Sequence, residues 1–174
     1  DEQIPSTWSL HLNRHKQLSA LHEAIYHEYL VHVPIGLINR IPREVLILGG
    51  GDGLALHRLL QYGDAIETIT LVELDSEMLQ LASSDPVLSY LNENAFESSK
   101  LKIHIDDAFA FLRRSSKQYD AVIVDFPFPS SYDLSKLYSV EFYEVLKSRL
   151  KPDGWASIDL PLYAVYNPGK NKRS

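Results

Sequence analysis

A glycine-rich turn between an apolar run and a helical pattern constrains the fold of this chain more than any other feature. Residues 44–48 form a short apolar run, which Gly49-Gly50-Gly51-Asp52-Gly53 brings to an end. From 54 to 62, leucines then recur at helical spacing. This succession indicates a buried strand, a tight turn and a helix, because glycine accepts positive φ and lets backbone N–H groups approach a ligand.

Strand and helix patterns continue to alternate along the rest of the chain. Strands are predicted at 44–48, 68–74, 101–105, 119–124 and 155–160, and helices at 54–62, 75–82, 86–95, 108–114 and 141–150. Such alternation is typical of βαβ units, which build a mostly parallel sheet with helices on its faces. We therefore expect one α/β, Rossmann-like domain.

The two ends of the chain differ from this pattern. Residues 8–12 alternate like a strand, and residues 19–32 predict a helix that ends before Val33-Pro34, since a residue before proline disfavours the helical conformation. Residues 167–174 are polar and basic, as in a loose terminus. We predict an N-terminal strand and helix at 1–35, the nucleoside-binding domain at 36–166 and a tail at 167–174.

Composition excludes several classes of function. The 174 residues carry a net charge of −6 and no cysteine, which excludes disulfides, thiolate zinc sites, iron–sulfur clusters and a cysteine nucleophile. The acidic balance argues against a nucleic-acid partner and favours a cationic one. The sequence contains neither a signal-peptide pattern nor an apolar stretch of the ~20 residues that span a membrane. Because it begins with Asp1, we expect a piece of a longer protein.

Seven histidines raise the question of a metal site. Three of them, His22, His27 and His32, recur every five residues on the predicted N-terminal helix. This spacing turns them by ~140° per step, so they do not share one helix face. We therefore predict no metal site.

The glycine turn favours a nucleoside ligand. It satisfies G-x-G-x-G, through Gly49, Gly51 and Gly53, but not the dinucleotide pattern G-x-G-x-x-G. No Lys-Ser or Lys-Thr pair follows, which excludes a phosphate-binding P-loop. Glu73 ends the next predicted strand, where a carboxylate can accept hydrogen bonds from both ribose hydroxyls. An adenosyl-type pocket is the favoured interpretation, and a tight turn beside a surface glutamate is the structural alternative.

Further acids follow the carboxyl ends of the predicted strands. Asp52 lies inside the glycine turn, Asp107 follows the third strand and Asp125 ends the fourth. Asp107 can reach an adenine amino group or, alternatively, cap the next helix. Because parallel strands present their carboxyl ends at one edge, these acids and Glu73 converge on one crevice. Acids this close favour a cation, such as a polyamine or a sulfonium.

At this point the residues resemble a known family, the polyamine aminopropyltransferases or spermidine synthases. The resemblance is carried by six motifs: 17–19 (QLS), 23–28 (EAIYHE), 46–53 (LILGGGDG), 72–75 (VELD), 107–109 (DAF) and 119–125 (YDAVIVD). Residues 136–143 (KLYSVEFY) are similar to a stretch of its bacterial members. The resemblance implies a Rossmann-like, class I methyltransferase-type sheet with flanking helices, preceded by a strand and helix left from the family's N-terminal β-hairpin domain.

The same resemblance implies a reaction. Decarboxylated S-adenosylmethionine donates its aminopropyl group to putrescine or a related amine, and methylthioadenosine leaves. Glu73 would hold the ribose, Asp107 the adenine amino group and Asp52 the terminal ammonium of the donor. Gln17 would support the sugar or methylthio end. Asp125 would accept a proton from the attacking amine, with Tyr26 orienting it.

Two departures from the family leave other functions open. The family has D-x-x-D-P after the fourth strand, whereas this chain has 125–129 (DFPFP), so Phe128 replaces the acid that grips the acceptor. The chain also stops soon after the fifth strand. An S-adenosylmethionine-dependent methyltransferase and a catalytically silent nucleoside-binding domain are therefore the alternatives.

The resemblance also bears on location and assembly. It implies a cytoplasmic homodimer that acts on a small cationic amine. Bacterial relatives with the Leu137-Tyr138-Ser139 version often carry this domain behind a multi-pass membrane region. A soluble domain of a membrane-attached protein is therefore the second arrangement that we expect.

Overall fold

Seven strands form two sheets in the computed structural model, which describes residues 7–12, 15–127, 129 and 132–159. The strands β1 (Ser9–Leu12) and β2 (His15–Ser19) make an antiparallel hairpin. The larger sheet is parallel, with the strand order β5-β4-β3-β6-β7. Its strands are β3 (Glu44–Gly49), β4 (Thr68–Glu73), β5 (Leu101–Ile105), β6 (Tyr119–Asp125) and β7 (Leu150–Ile158).

Helices connect these strands and cover both faces of the sheet. The described helices are α1 (Glu23–His27), α2 (Val33–Ile38), α3 (Leu54–Leu60), α4 (Ser76–Ser84), α5 (Pro86–Leu91), α6 (Ala108–Arg114), α7 (Tyr132–Ser135) and α8 (Val140–Ser148). A π-helical turn, Glu28–His32, joins α1 to α2. Within the described residues, no helix is both long and apolar enough to cross a membrane.

The core lies on both sides of the central strands, because successive side chains of a strand point to opposite faces. Val45 and Ile47 of β3 belong to a buried cluster with residues of α3 and of the N-terminal helix, namely Leu56, Leu59, Val31 and Ile35. Leu46 and Leu48 belong to a second cluster with residues of α6 and α8, namely Leu112, Phe142 and Leu146. Burial on both faces explains why the strand sequences are almost continuously apolar.

The expected α/β, Rossmann-like sheet with flanking helices is confirmed. Both predicted ends of the first helix were wrong: it starts at Glu23 instead of Ser19 and continues through Pro34 to Ile38. The π turn widens the helix just before Pro34, which then lies in the first turn of α2. Proline is tolerated in the first turn of an α-helix, and the π turn just before it changes the hydrogen-bond spacing of the helix at this point.

The last strand also begins earlier than predicted, at Leu150 instead of Trp155. Leu150 pairs with Tyr119, and the next pair along the ladder is Trp155 with Ala121, so the intervening residues bulge out of register. A bulge absorbs extra residues without ending a strand. This bulge consists of residues 151–154 (KPDG), which lie between the predicted helix at 141–150 and the predicted strand at 155–160.

The division of the chain at residue 35 stays a prediction. α2 runs across this position, and Val31 and Ile35 pack in the same cluster as the sheet residues Val45 and Ile47. The tail predicted at 167–174 lies outside the described residues.

Candidate active site

The glycine turn lies at the carboxyl end of β3. This strand pairs with β4 on one side and with β6 on the other, so the strand order changes direction here. Ligands of open α/β sheets bind at such a switch point. A Cβ on Gly49, which has a φ of 80°, would lie 2.2 Å from the carbonyl oxygen of Asp125. The N–H of Gly50 donates to that same oxygen at 3.1 Å. The turn is therefore held directly against the end of β6.

Glu73 closes the other side of the turn. Its Oε2 accepts a hydrogen bond from the N–H of Gly51 at 3.1 Å, and its Oε1 accepts one from the N–H of Asp75 at 2.9 Å. Burial raises the pKa of Glu73, and these N–H groups partly offset the effect. The residue predicted to bind ribose thus lies beside the glycine turn, with its carboxylate oriented by two backbone groups.

Asp52 lies at the tip of the turn, and its Oδ1 accepts a hydrogen bond from the N–H of Leu54 at 3.0 Å. Burial raises the pKa of Asp52 to about 6, and the charge of Asp125 acts in the same direction. The nearby His27 opposes this rise. A cation bound beside Asp52 would lower this raised pKa, because a cation favours the charged form of a carboxyl group.

Asp125, at the end of β6, is contacted by two neighbouring residues of α1. The hydroxyl of Tyr26 donates to Oδ1 at 2.6 Å, across 99 positions of sequence. The Nε2 atom of His27 lies 3.8 Å from Oδ2, the distance of an ion pair. Burial and the charge of Asp125 raise the pKa of Tyr26, which therefore stays a neutral donor. The pair that the family resemblance implies, Tyr26 and Asp125, is in direct contact.

His27 also belongs to this site, although the sequence did not lead us to predict it there. Its side chain is 1% exposed, and its Nδ1 lies 2.8 Å from the carbonyl oxygen of Glu23. Burial acts to lower the pKa of His27, but the carboxylates of Asp125 and Glu23 outweigh it and raise the pKa to about 10. The signal in the sequence was its position next to Tyr26 and one helical turn after Glu23.

Asp159, directly after β7, is a second residue that the prediction omitted. Its N–H donates to the carbonyl oxygen of Val124 at 3.2 Å, so it follows the sheet edge beside Asp125. Burial raises the pKa of Asp159, the hydroxyl of Tyr26 lowers it, and the charge of Asp125 raises it further. An acid at the end of the fifth strand could have been expected at this edge, as the other strand ends were.

Asp107 caps a helix, which was the alternative to contact with an adenine amino group. Its Oδ1 accepts a hydrogen bond from the N–H of Ala110 at 2.9 Å, which caps α6. Its Oδ2 pairs with the Nζ of Lys136 at 2.7 Å. Burial acts to raise the pKa of Asp107, but Lys136 and the backbone donor lower it overall. Contact with an adenine amino group stays a prediction and would use the remaining lone pairs.

Two residues of interest cannot be placed in this crevice. Gln17 lies in β2, but its side chain is outside the described part of the structure. Phe128 is outside the described residues altogether.

The crevice suits a small organic cation. Atoms of His27, Asp52 and Asp125 lie within 4.8 Å of one another. Asp52 and Asp125 each already accept a hydrogen bond from a protein donor, Leu54 and Tyr26 respectively. The lone pairs that remain on both carboxylates can accept from the N–H donors of an ammonium or ligate a metal ion, so the absence of a metal site stays a prediction.

Comparisons with known proteins agree with this chemistry. The family model described as "Spermine/spermidine synthase domain" matches residues 23–159. The chain is 44% identical over 147 residues to polyamine aminopropyltransferase 2 of Aquifex aeolicus, covering 84% of this chain and 29% of the relative. It is 46% identical over 145 residues to polyamine aminopropyltransferase 1 of Streptomyces coelicolor, covering 83% and 27%.

Solved structures give the same result. A spermidine synthase in complex with the transition-state analogue AdoDATO matches with a TM-score of 0.73 and 30% identity, over 85% of this chain and 50% of that one. The spermidine synthase from Thermotoga maritima matches with a TM-score of 0.71 and 30% identity, over 85% and 48%. The chain thus spans less than a third of the length of the two curated relatives and about half of the solved chains.

Proposed function

Since the chain belongs to the spermine/spermidine synthase domain family, we propose that it transfers the aminopropyl group of decarboxylated S-adenosylmethionine to putrescine or a related amine. Methylthioadenosine is the second product. The observation that carries this proposal is the acidic end of the crevice, where Asp52 and Asp125 lie around a buried imidazole. A nucleoside with a cationic side chain matches both this end and the glycine turn beside Glu73.

In this proposal the donor binds along the carboxyl edge of the sheet. Glu73 accepts hydrogen bonds from the ribose hydroxyls, and the turn of Gly49, Gly51 and Gly53 gives the nucleoside close access to the backbone. Asp107 accepts from the adenine amino group, and Gln17 supports the sugar or methylthio end. Asp52 pairs with the terminal ammonium of the donor. The carboxylate of ordinary S-adenosylmethionine would be repelled at this position, which favours the decarboxylated compound.

The chemical step is a displacement at the carbon next to the sulfonium. The lone pair of the neutral amine forms the new C–N bond, the C–S bond breaks, and its electron pair stays on sulfur. The proton that the new ammonium loses is accepted by Asp125, whose carboxylate is oriented by the 2.6 Å hydrogen bond from Tyr26. Alignment of the reactants supplies ~7–11 kcal/mol in well-oriented systems. General base catalysis adds ~10²–10⁴ in rate, so alignment contributes more.

The family resemblance also carries our proposals on partners. We propose a homodimer that binds a small cationic amine and no nucleic acid. The net charge of −6 supports the choice of a cationic ligand.

Calorimetry and a turnover assay on the purified chain test the proposed function. We expect decarboxylated S-adenosylmethionine and methylthioadenosine to bind, and S-adenosylmethionine to bind more weakly. With putrescine as acceptor, Asp125→Asn should lower kcat by ~10²–10⁴ and change the Kd of the donor far less, because the base acts on the acceptor. Asp153→Asn, at an exposed aspartate of the β7 bulge, is the matched control and should leave both quantities unchanged.

Two results would redirect the proposal. Preference for S-adenosylmethionine would contradict an aminopropyl donor and support a methyltransferase. Nucleoside binding without turnover would support a silent domain. In that case, turnover restored by Phe128→Asp would attribute the loss to the missing acceptor-side acid.

A further inference from the structure

The buried imidazole of His27 has one nitrogen whose state is fixed and one that is free to titrate. Its Nδ1 lies 2.8 Å from the backbone carbonyl oxygen of Glu23. A carbonyl only accepts hydrogen bonds, so Nδ1 carries a proton in every state of the ring. Nε2 is therefore the atom that gains or loses a proton.

Nε2 points into the acidic end of the crevice. It lies 3.8 Å from Oδ2 of Asp125 and belongs with Asp52 to the group of atoms within 4.8 Å of one another. It is buried and has no hydrogen-bond partner among the described residues. A buried nitrogen without a partner costs free energy, and structures retain such groups where they have a role.

Acids predominate among the groups that act on this imidazole. Glu23 of its own helix, Asp52 of the glycine turn and Asp125 of β6 act on it with their charges, the ring of Tyr26 packs against it, and His57 of α3 interacts with it. Arg58 of α3 pairs with Glu23 at 3.4 Å. Burial acts to lower the pKa of His27, but the carboxylates prevail and raise it to about 10. The free crevice thus holds a cation of its own.

We propose that the Nε2 proton of His27 is the counter-cation of the free crevice and leaves when a substrate ammonium binds at Asp52 and Asp125. The Nε2–H bond breaks, the proton passes to solvent, and the ring stays neutral with its proton on Nδ1. The reason is that two cations beside the same carboxylates repel each other, while one is sufficient to balance them. The inference rests on the proposed function, since it needs a cationic ligand in this crevice.

His27 is therefore a positioning residue that favours the charged form of Asp52 and holds the side chain of Asp125 in place until the substrate arrives. The same exchange favours cationic ligands over neutral ones. Methylthioadenosine, which lacks both the sulfonium and the ammonium of the donor, has no charge with which to displace the proton. Donor affinity should also rise with pH, because binding releases a proton.

Calorimetry in buffers of different ionisation enthalpy measures this release. At about pH 8, between the ordinary histidine value and the raised one, we expect about one proton released per donor bound. Methylthioadenosine should release none. His27→Gln should bind the donor without release, whereas His57→Gln, a matched change at another buried histidine, should keep it. Donor binding by the unaltered chain without proton release would overturn the inference.

An NMR titration of the histidine rings tests the same inference without the donor. The resonance lost in His27→Gln identifies His27 in the free protein. We expect it to titrate well above the ordinary value near 6.5, to shift down in Asp125→Asn and to shift down when putrescine is added. An ordinary or lowered pKa in the free protein would overturn the inference. Failure of the donor to bind would refute the proposed function, and the NMR titration with putrescine would then still decide the role of His27.

Discussion

At the scale of single residues, the crevice depends on close approaches that only glycine permits. A Cβ on Gly49 would lie 2.2 Å from the carbonyl oxygen of Asp125, and one on Gly51 would lie 2.8 Å from Oε2 of Glu73. A Cβ on Gly53 would lie 2.5 Å from the ring of Phe96. Each of these glycines is therefore packed against a different wall: β6, β4 and the short turn before β5.

Gly51→Ala tests whether this packing serves ligand binding. The added methyl group should displace the carboxylate of Glu73 and break its hydrogen bond from the backbone. A hydrogen bond to a charged group contributes ~1.5–3 kcal/mol, so we expect the Kd for methylthioadenosine to rise about tenfold or more. Calorimetry measures the change. Gly36→Ala in α2, where a Cβ would meet nothing within 4 Å in the described structure, should bind normally. Equal affinities of the two variants would contradict the role of Gly51.

The sequence predicts the residues at strand ends better than those on the preceding helix. Glu73, Asp52 and Asp125 were expected at one edge because the parallel sheet brings the ends of its strands together. His27 was not, since it reaches Asp125 only after α1 has packed against the sheet. Periodicity places a residue on a helix face but does not tell which acid that face will meet.

At the scale of elements, two aspartates cap helices, and one of them also has a candidate binding role. Asp85 caps α5 by accepting hydrogen bonds from the N–H groups of Val87 and Leu88. Asp107 caps α6 in a similar way through Ala110. Both aspartates cap a helix, but of the two only Asp107 follows a strand at the edge of the crevice.

The pair Asp85→Ala and Asp107→Ala separates the two roles. Loss of an N-cap costs ~0.5–2 kcal/mol, so both variants should lower the free energy of unfolding by a similar amount in urea titrations. Only Asp107→Ala should also weaken nucleoside binding in calorimetry. Asp107→Asn, which keeps a capping oxygen, should restore stability more fully than affinity. Unchanged nucleoside affinity in Asp107→Ala would leave Asp107 as a cap alone.

Elements were predicted well where local sequence decides them and poorly where packing does. The caps and glycines around α3 to α6 gave helix starts within a residue or two of those observed. The helix through Pro34 was missed because its π turn buries Leu30 and Val31 in the core, a tertiary gain that outweighs the tendency of proline to end a helix. The bulge in β7 was missed because residues 151–154 have the composition of a turn.

At the scale of the whole molecule, the crevice makes stability depend on pH. Burial and Asp125 raise the pKa of Asp52 to about 6, and the carboxylates around His27 raise its pKa to about 10 despite burial. Between the ordinary value of 6.5 and about 10, the folded state therefore holds a proton that the unfolded chain lacks. Stability is greatest where the proton is bound in both states and declines as pH rises through this window.

We therefore expect the free energy of unfolding to fall as pH rises from 6.5 to 10, and urea titrations across this range measure it. His27→Gln removes the titrating group, so its curve should be nearly flat there. His57→Gln should keep the fall, because the pKa of His57 is lowered by burial and its contribution lies below 6.5. A flat curve for the unaltered chain would mean that His27 is neutral in the folded state. A fall that persists in His27→Gln would assign the proton to another group.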